Sequence, residues 1–290
     1  MSAGAPYAPF MEPRTARPPG LSPLDPDAWI AHDADYAPQM AERDRLLAAW
    51  PTETMAAQPE AAAPLAELRA ALLAHLAGRD GWRVGAEHVT RPDTAAVPLT
   101  LDTLTLAGRL CQEDLLLMAA PETEGGEYRL VAGVLCFPAR WTLIEKLGRP
   151  LTRIHDPVPG YVESLATRVN RVFEALRPER PLMRANWLVH ATDRLDLPMR
   201  ERDKIAPPDA ARGFFLRTER QTLLRLPETR AVVFGVKTSV TPLADLTPGQ
   251  RSALRSALAS YDADDIGYHG GEAAWRAALT ALDAASQPSP

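Results

Sequence analysis

The segment running from Cys136-Phe-Pro138 to Ile154-His-Asp-Pro-Val-Pro159 holds one histidine, His155, in a stretch punctuated by proline and glycine. A lone imidazole on stiff backbone suits a ligand for a single metal or haem iron, because a ligand side chain has to be positioned in advance. Pro157 and Pro159 restrict φ and bias the residues before them toward extended conformations. Asp156 can orient the imidazole or cap the turn. His155 can equally be a loop histidine bonded to neighbouring backbone.

A second signature is Thr218-Glu-Arg-Gln-Thr222. Read as a strand, its alternation sets Phe214, Leu216, Thr218, Arg220, Thr222 and Leu224 on one face. Phe215, Arg217, Glu219, Gln221, Leu223 and Arg225 fall on the other. The first face is the more apolar and is expected to be buried, with Arg217 and Arg225 solvated. Arg220 would then be a guanidinium on an inner wall, where an unpaired charge is costly. It calls for a carboxylate, a ligand anion or dioxygen, and a structural ion pair meets the same need. In Arg184-Ala-Asn-Trp-Leu-Val-His190, the residues Arg184, Asn186, Leu188 and His190 share a face. That face can line a polar pocket or be an ordinary half-exposed strand. Gly235 can admit a ligand to the backbone or mark a bulge. The pair Glu113-Asp114 suits acid–base chemistry, amine binding, or a helix-surface or capping role. The remaining histidines form no metal-binding spacing, and the chain has no HExxH, Gly-x-Ser-x-Gly or P-loop, and no GxGxxG after a strand.

The elements that must position these residues follow from periodicity. Asp33 to Trp50 and Pro59 to Leu76 carry helical apolar stripes, and Thr103 to Met118 is assigned to a third helix. Tyr128 to Cys136 reads as a strand, Arg140 to Leu147 as a short helix closed by Gly148, and Val162 to Leu176 as a helix stopped by Pro178. Strands are expected over Arg184 to Ala191, Gly213 to Leu226 and Arg230 to Thr238, the last two joined by a hairpin at Pro227-Glu-Thr229. Helices over Pro248 to Tyr261 and Gly271 to Ala284 complete an α+β domain, an antiparallel sheet with flanking helices. Residues 1–26 are rich in Pro, Ala and Gly and are expected to be a mobile arm; 27–284 form one domain, and 285–290 a short disordered tail.

Composition narrows the function. The 290 residues are 46% hydrophobic and 24% charged, ordinary for a globular protein with a full core. A net charge of -5 argues against nonspecific nucleic-acid binding. The longest apolar runs are too short for a bilayer span of about 20 residues. The N-terminus lacks a basic start and an apolar h-region, so cytoplasmic residence is expected. The 2 cysteines, Cys111 and Cys136, cannot hold a four-thiolate iron–sulfur cluster or a Cys-rich zinc site.

Several pieces in collinear order resemble a known family. They are Trp29…Asp35-Tyr36…Arg43…Leu46, Gln112-Glu-Asp-Leu115, Cys136-Phe-Pro138…Trp141…Glu145-Lys-Leu-Gly148 and Ile154-His-x-Pro-Val-Pro159, followed by Arg184-x-Asn-Trp187 and Glu219-Arg-Gln-Thr-Leu223. Together they resemble the α-subunit of haem-dependent oxidative N-demethylase and its relatives, over roughly residues 27 to 284. The resemblance implies a PAS-like haem-binding fold used as an enzyme. Haem b and dioxygen would serve to demethylate a small amine such as dimethylamine, releasing formaldehyde. By motif position His155 is the axial ligand and Arg220 the distal donor near dioxygen, with Arg184 and Asn186 as further cofactor-pocket residues. Electrons would come from reductase-type partner subunits carrying FMN, a [2Fe–2S] centre and NADPH oxidation. A non-catalytic haem or gas-binding relative, or a haem-free scaffold, is the alternative outcome of the same ancestry.

Overall fold

The computed structural model of the chain describes residues 8–12, 20–123, 125–156, 166–201, 203 and 213–285. Its strands are β1 (Ser22–Pro23), β2 (Met55–Ala57), β3 (Arg83–Val84), β4 (His88–Thr90), β5 (Ala96–Pro98), β6 (Asp114–Ala119), β7 (Arg129–Val134), β8 (Leu182–His190), β9 (Phe215–Arg225) and β10 (Val232–Pro242). Among the described residues, seven of them form an antiparallel sheet in the order β1-β8-β9-β10-β6-β7-β2, and β3-β4-β5 make a small second sheet. The helices are α1 (Tyr36–Ala49), α2 (Pro51–Thr54), α3 (Ala62–Ala77), α4 (Thr103–Leu110), α5 (Leu143–Lys146), α6 (Leu151–Ile154), α7 (Ala166–Ala175), α8 (Pro248–Ala259), α9 (Ala263–Tyr268) and α10 (Gly271–Ala285). The fold is α+β, as the alternation of periods implies.

The β9–β10 hairpin is the spine of the sheet. Its register runs unbroken from Val232↔Arg225 to Pro242↔Phe215, and Arg230 closes the turn at φ 60°. The sheet is covered on both sides, so its central strands bury both sets of side chains. Leu115, Leu117 and Val233 pack with α1, α3 and α4 through Met40, Leu68, Leu72 and Leu106. Leu116, Leu223 and Val232 pack instead with Leu143, Leu151 and Phe173 from α5, α6 and α7. These two sides are referred to below as the α1 side and the α6 side. Helices α8 and α10 form a third cluster with Phe10 and Leu216; α8 starts with a capping box in which Thr247 and Gln250 satisfy each other's backbone.

Three expectations are corrected. Thr103 to Met118 is not one helix. Asp102 caps α4 by accepting from Leu104 and Thr105, Cys111 turns extended, and β6 starts at Asp114. An all-apolar run such as Leu-Leu-Leu-Met has no polar gaps to reveal its period, because both of its faces are buried. Within the stretch expected to be a mobile arm, Pro9–Met11 form a 3-10 turn with Phe10 against Trp187 at 5.5 Å, and Ser22–Pro23 pair with β8. Residues 1–7, 13–19 and 286–290 lie outside the described residues. Finally, Arg217 and Arg225 are buried at 1% and 9% exposure rather than solvated. Each guanidinium has enough acceptors to offset the loss of water: Arg225 donates to the Glu174 and Leu176 carbonyls, and Arg217 to Glu219 and three further oxygens.

Candidate functional site

His155 caps the C-terminus of α6, on the α6 side of the sheet. That helix is pinned before it reaches the histidine. Leu151 is buried and its N–H donates to Tyr128, while Thr152 donates to Glu127, which also receives Asn170 of α7. Lys146 reaches from α5 to donate to the Ile154 carbonyl at 2.9 Å and to Glu201 at 2.9 Å. Asp156 pairs with Arg153 rather than with the imidazole. Pro157 and Pro159, expected to stiffen the downstream backbone, lie outside the described residues.

The imidazole itself is tethered: Nδ1 stands 2.9 Å from the Leu151 carbonyl. A carbonyl only accepts, so Nδ1 carries the proton in this bond. Burial pulls the His155 pKa below the ordinary histidine value, the Leu151 bond opposes this, and the charges of Arg184 and Lys146 add to the fall. A neutral imidazole with Nδ1–H on a backbone carbonyl is the form in which histidine ligates a metal.

Arg184 and Asn186 lie on β8 with the same parity as Leu188 and His190. In register, Arg184 faces Gln221 and Asn186 faces Glu219. His155 feels the charge of Arg184, Asn186 shares the Arg184 face of β8, and the register adds two residues from β9 to that face. Glu219 accepts from Arg217 Nε at 3.2 Å and from Gln221 Nε2 at 2.9 Å. Gln221 is 8% exposed and its Oε1 has no hydrogen-bond partner; His190, 7% exposed, leaves Nε2 in the same condition. Buried polar atoms are nearly always bonded, so these two, without partners among the described residues, are able to accept or donate to a ligand. Beyond them Tyr268 is 43% exposed, yet lost solvation raises its phenol pKa; Glu219 adds to the rise, while Arg140 and Arg184 oppose it.

Arg220 does not join this wall, and the expectation that it faces His155 is corrected. Adjacent strand residues point to opposite sides, and Arg220 lies in register with Lys237 and Ala185, on the α1 side. Its guanidinium donates to the carbonyls of Ala28 and Trp29. The same N-terminal segment is held by Ala31 N–H on Glu113 Oε1 at 3.1 Å and by Asp33 on Lys237. Glu113 and Asp114 are both buried, not surface helix residues. Asp114 pairs with the buried Arg43 at 2.6 Å and accepts from the Cys136 and Phe137 N–H groups, which sets the start of the loop leading to α5.

The α6-side wall carries residue types compatible with a haem: an imidazole held through Nδ1, apolar neighbours that include Leu223, Phe234, Leu182 and Ile154, and buried polar atoms without partners among the described residues. A family model described as haem-dependent oxidative N-demethylase, alpha subunit-like, matches residues 20–280. The chain belongs to this family. Membership in the haem-dependent oxidative N-demethylase alpha-subunit-like family carries a haem-dependent, N-demethylase-like enzymatic role and, as an alpha-type subunit, association with other subunits. Among the described residues, no helix is long and apolar enough to cross a membrane. Glu219 and Gln221 were visible in the sequence as part of the Glu219-Arg-Gln-Thr-Leu223 motif and as the alternate parity of Thr218 to Thr222, without a role; nothing local marked Tyr268.

Proposed function

We propose that the chain is the catalytic subunit of a haem b enzyme that oxidatively demethylates a small, dimethylamine-like amine. Dioxygen is consumed, formaldehyde is released, and electrons come from a reductase-type partner carrying FMN and a [2Fe–2S] centre and oxidising NADPH. The reading includes a single PAS-like domain and cytoplasmic residence. The observation that carries it is the match of residues 20–280 to the haem-dependent family; the bond from His155 to Leu151 is compatible with a ligand role and with a loop histidine alike.

In this reading His155 holds the cofactor through Nε2, and Leu151 keeps the ring from rotating. Bound haem would supply the electron transfer and the activation of dioxygen. The protein supplies orientation and exclusion of water. Arg184 and Asn186 line the polar wall, where a guanidinium stabilises negative charge that develops near it. Glu219 is the carboxylate on that wall; each of its oxygens accepts one bond already, and carboxylate oxygens accept further bonds. It therefore attracts and orients a methylated ammonium at Gln221 and Asn186.

An absorption spectrum with pyridine-haemochrome analysis tests the reading. The purified protein should show a Soret band that His155→Ala loses, and dioxygen uptake should depend on an amine when a competent reductase is present. Haem without amine-stimulated turnover would instead indicate a haem or gas-binding protein, and a colourless protein a scaffold.

A further inference from the structure

At the far end of β8 the α6 side carries a second polar cluster that amine demethylation does not use. It is built by His190, Arg140 and the turn opening α10. Arg140 adopts a left-handed backbone, φ 63°, and its N–H is fixed on the Leu197 carbonyl at 2.8 Å. The half-buried guanidinium has one hydrogen bond among the described residues, a long 3.5 Å contact to the Tyr268 carbonyl, and no carboxylate pairs with it there.

Its nearest neighbours come from the turn that opens α10 and from β8. A Cβ built on Gly270 would lie 3.5 Å from Arg140 Nη2 and 3.8 Å from Nη1. Gly270 and Gly271, at φ 118° and 84°, make the turn into the 15-residue α10, so the guanidinium stands at that helix's positive end. His269, in the same turn, is stacked on Tyr261 at 4.9 Å. His190 brings its partnerless, buried Nε2 from the strand. Burial and the Arg140 charge hold His269 down to about 4, and burial with Arg140, Arg217 and His269 holds His190 down to about 3. Arg217 already has Glu219 as its counter-charge, whereas Arg140 has none among the described residues. The first turn of α10 does carry an acid, Glu272, but it pairs with Arg276; a guanidinium, a helix N-terminus and an imidazole are left to form a site for an anion.

We propose that Arg140, His190 and the N-terminal turn of α10 bind a carboxylate. His190 shares its β8 face with Arg184 and Asn186, and Asn186 faces Glu219 in register, so the cluster lies on the same side of the sheet as the polar wall. The carboxylate belongs either to a porphyrin propionate or to the substrate itself. In the second case the substrate class is an N-methylated amino acid, its ammonium at Glu219 and its carboxylate at Arg140. Both sources rest on the haem reading above; the anion site does not.

The test uses the full chain, freed of haem, as wild type, Arg140→Met and Arg140→Lys. Acetate should raise the melting temperature of the wild type relative to chloride at equal ionic strength. That rise should vanish in Arg140→Met and return in Arg140→Lys. If the propionate is the ligand, Arg140→Met weakens haem uptake roughly tenfold, and the haem dimethyl ester binds wild type and variant alike. If the substrate is the ligand, haem uptake is unchanged. N-methylglycine then loses roughly tenfold in affinity, read as a spectral shift of the loaded protein, while dimethylamine loses nothing. The proposal is overturned if acetate distinguishes none of the proteins, or if Arg140→Met weakens haem and its ester equally, a purely structural effect. A wild type that takes up no haem sinks the cofactor reading and leaves the acetate comparison to decide the site.

Discussion

Arg220 and Gln221 are consecutive in the chain and serve opposite sides of the sheet. The guanidinium of Arg220 holds the Ala28 and Trp29 carbonyls, while the Gln221 amide donates to Glu219 on the wall that His155 faces. A one-residue step thus separates a group that straps the N-terminal segment from a group that lines the candidate pocket. The division of labour is open to direct test.

Arg220→Met should act on stability. Two carbonyls lose a charged donor, a cost of about 1–3 kcal/mol in chemical denaturation. The haem spectrum and haem affinity of the folded variant should match the wild type. A displaced Soret band at unchanged stability would return Arg220 to the pocket.

His155→Gly should remove the proposed axial ligand and leave room for a replacement. The variant should lack the wild-type Soret band and regain it when free imidazole is added, because α6 is pinned independently through Leu151, Thr152 and Lys146. Haem binding by the variant without imidazole, with an unchanged spectrum, would mean that another group ligates the iron.

Acid should weaken the fold before the carboxylates titrate. His190 and His269 sit at about 3 and about 4 in the folded protein against 6.5 when exposed, and His75 and His155 are also lowered. A lowered histidine makes no difference above its unfolded value. Below 6.5 the unfolded chain takes up protons that the native state refuses, so stability falls with pH down to the folded value. Each histidine contributes a slope of up to about 1.4 kcal/mol per pH unit. Urea melts between pH 7.5 and 5 should show this decline, and His190→Gln should flatten it by one histidine's share.

Glu113 should behave in the opposite sense. Burial raises its pKa above 4.5, with the Ala31 N–H and the Arg220 and Lys237 charges opposing. The unfolded chain ionises first, so this residue costs stability as pH rises above 4.5. Glu113→Gln keeps an oxygen for Ala31 and removes the ionisation. Its melting temperature should gain on the wild type from pH 5 to pH 8, and a constant difference would contradict a raised pKa.

The β9–β10 hairpin, α1, α3, α8 and α10 were legible because their signals are local: turn residues at Pro227–Thr229 and helical apolar periodicity. His155 was legible as a solitary imidazole, and its tether to Leu151 spans only one helical turn. The β6 strand was not, since a run buried on both faces carries no period. Nor was the burial of Arg217, whose acceptors at Phe137 and Leu195 come from distant loops.

The sequence by itself determined the α+β class and the alternation along β9 that splits Arg220 from Glu219 and Gln221. Those follow from pleat and helix geometry, which depend on a few neighbouring residues. Only the tertiary structure decided which parity of β9 looks toward His155, and that Arg140 would meet the turn at Gly270. Which side of a strand meets which helix is set by packing of the whole core. When both sides are buried, hydrophobicity alone cannot choose between them.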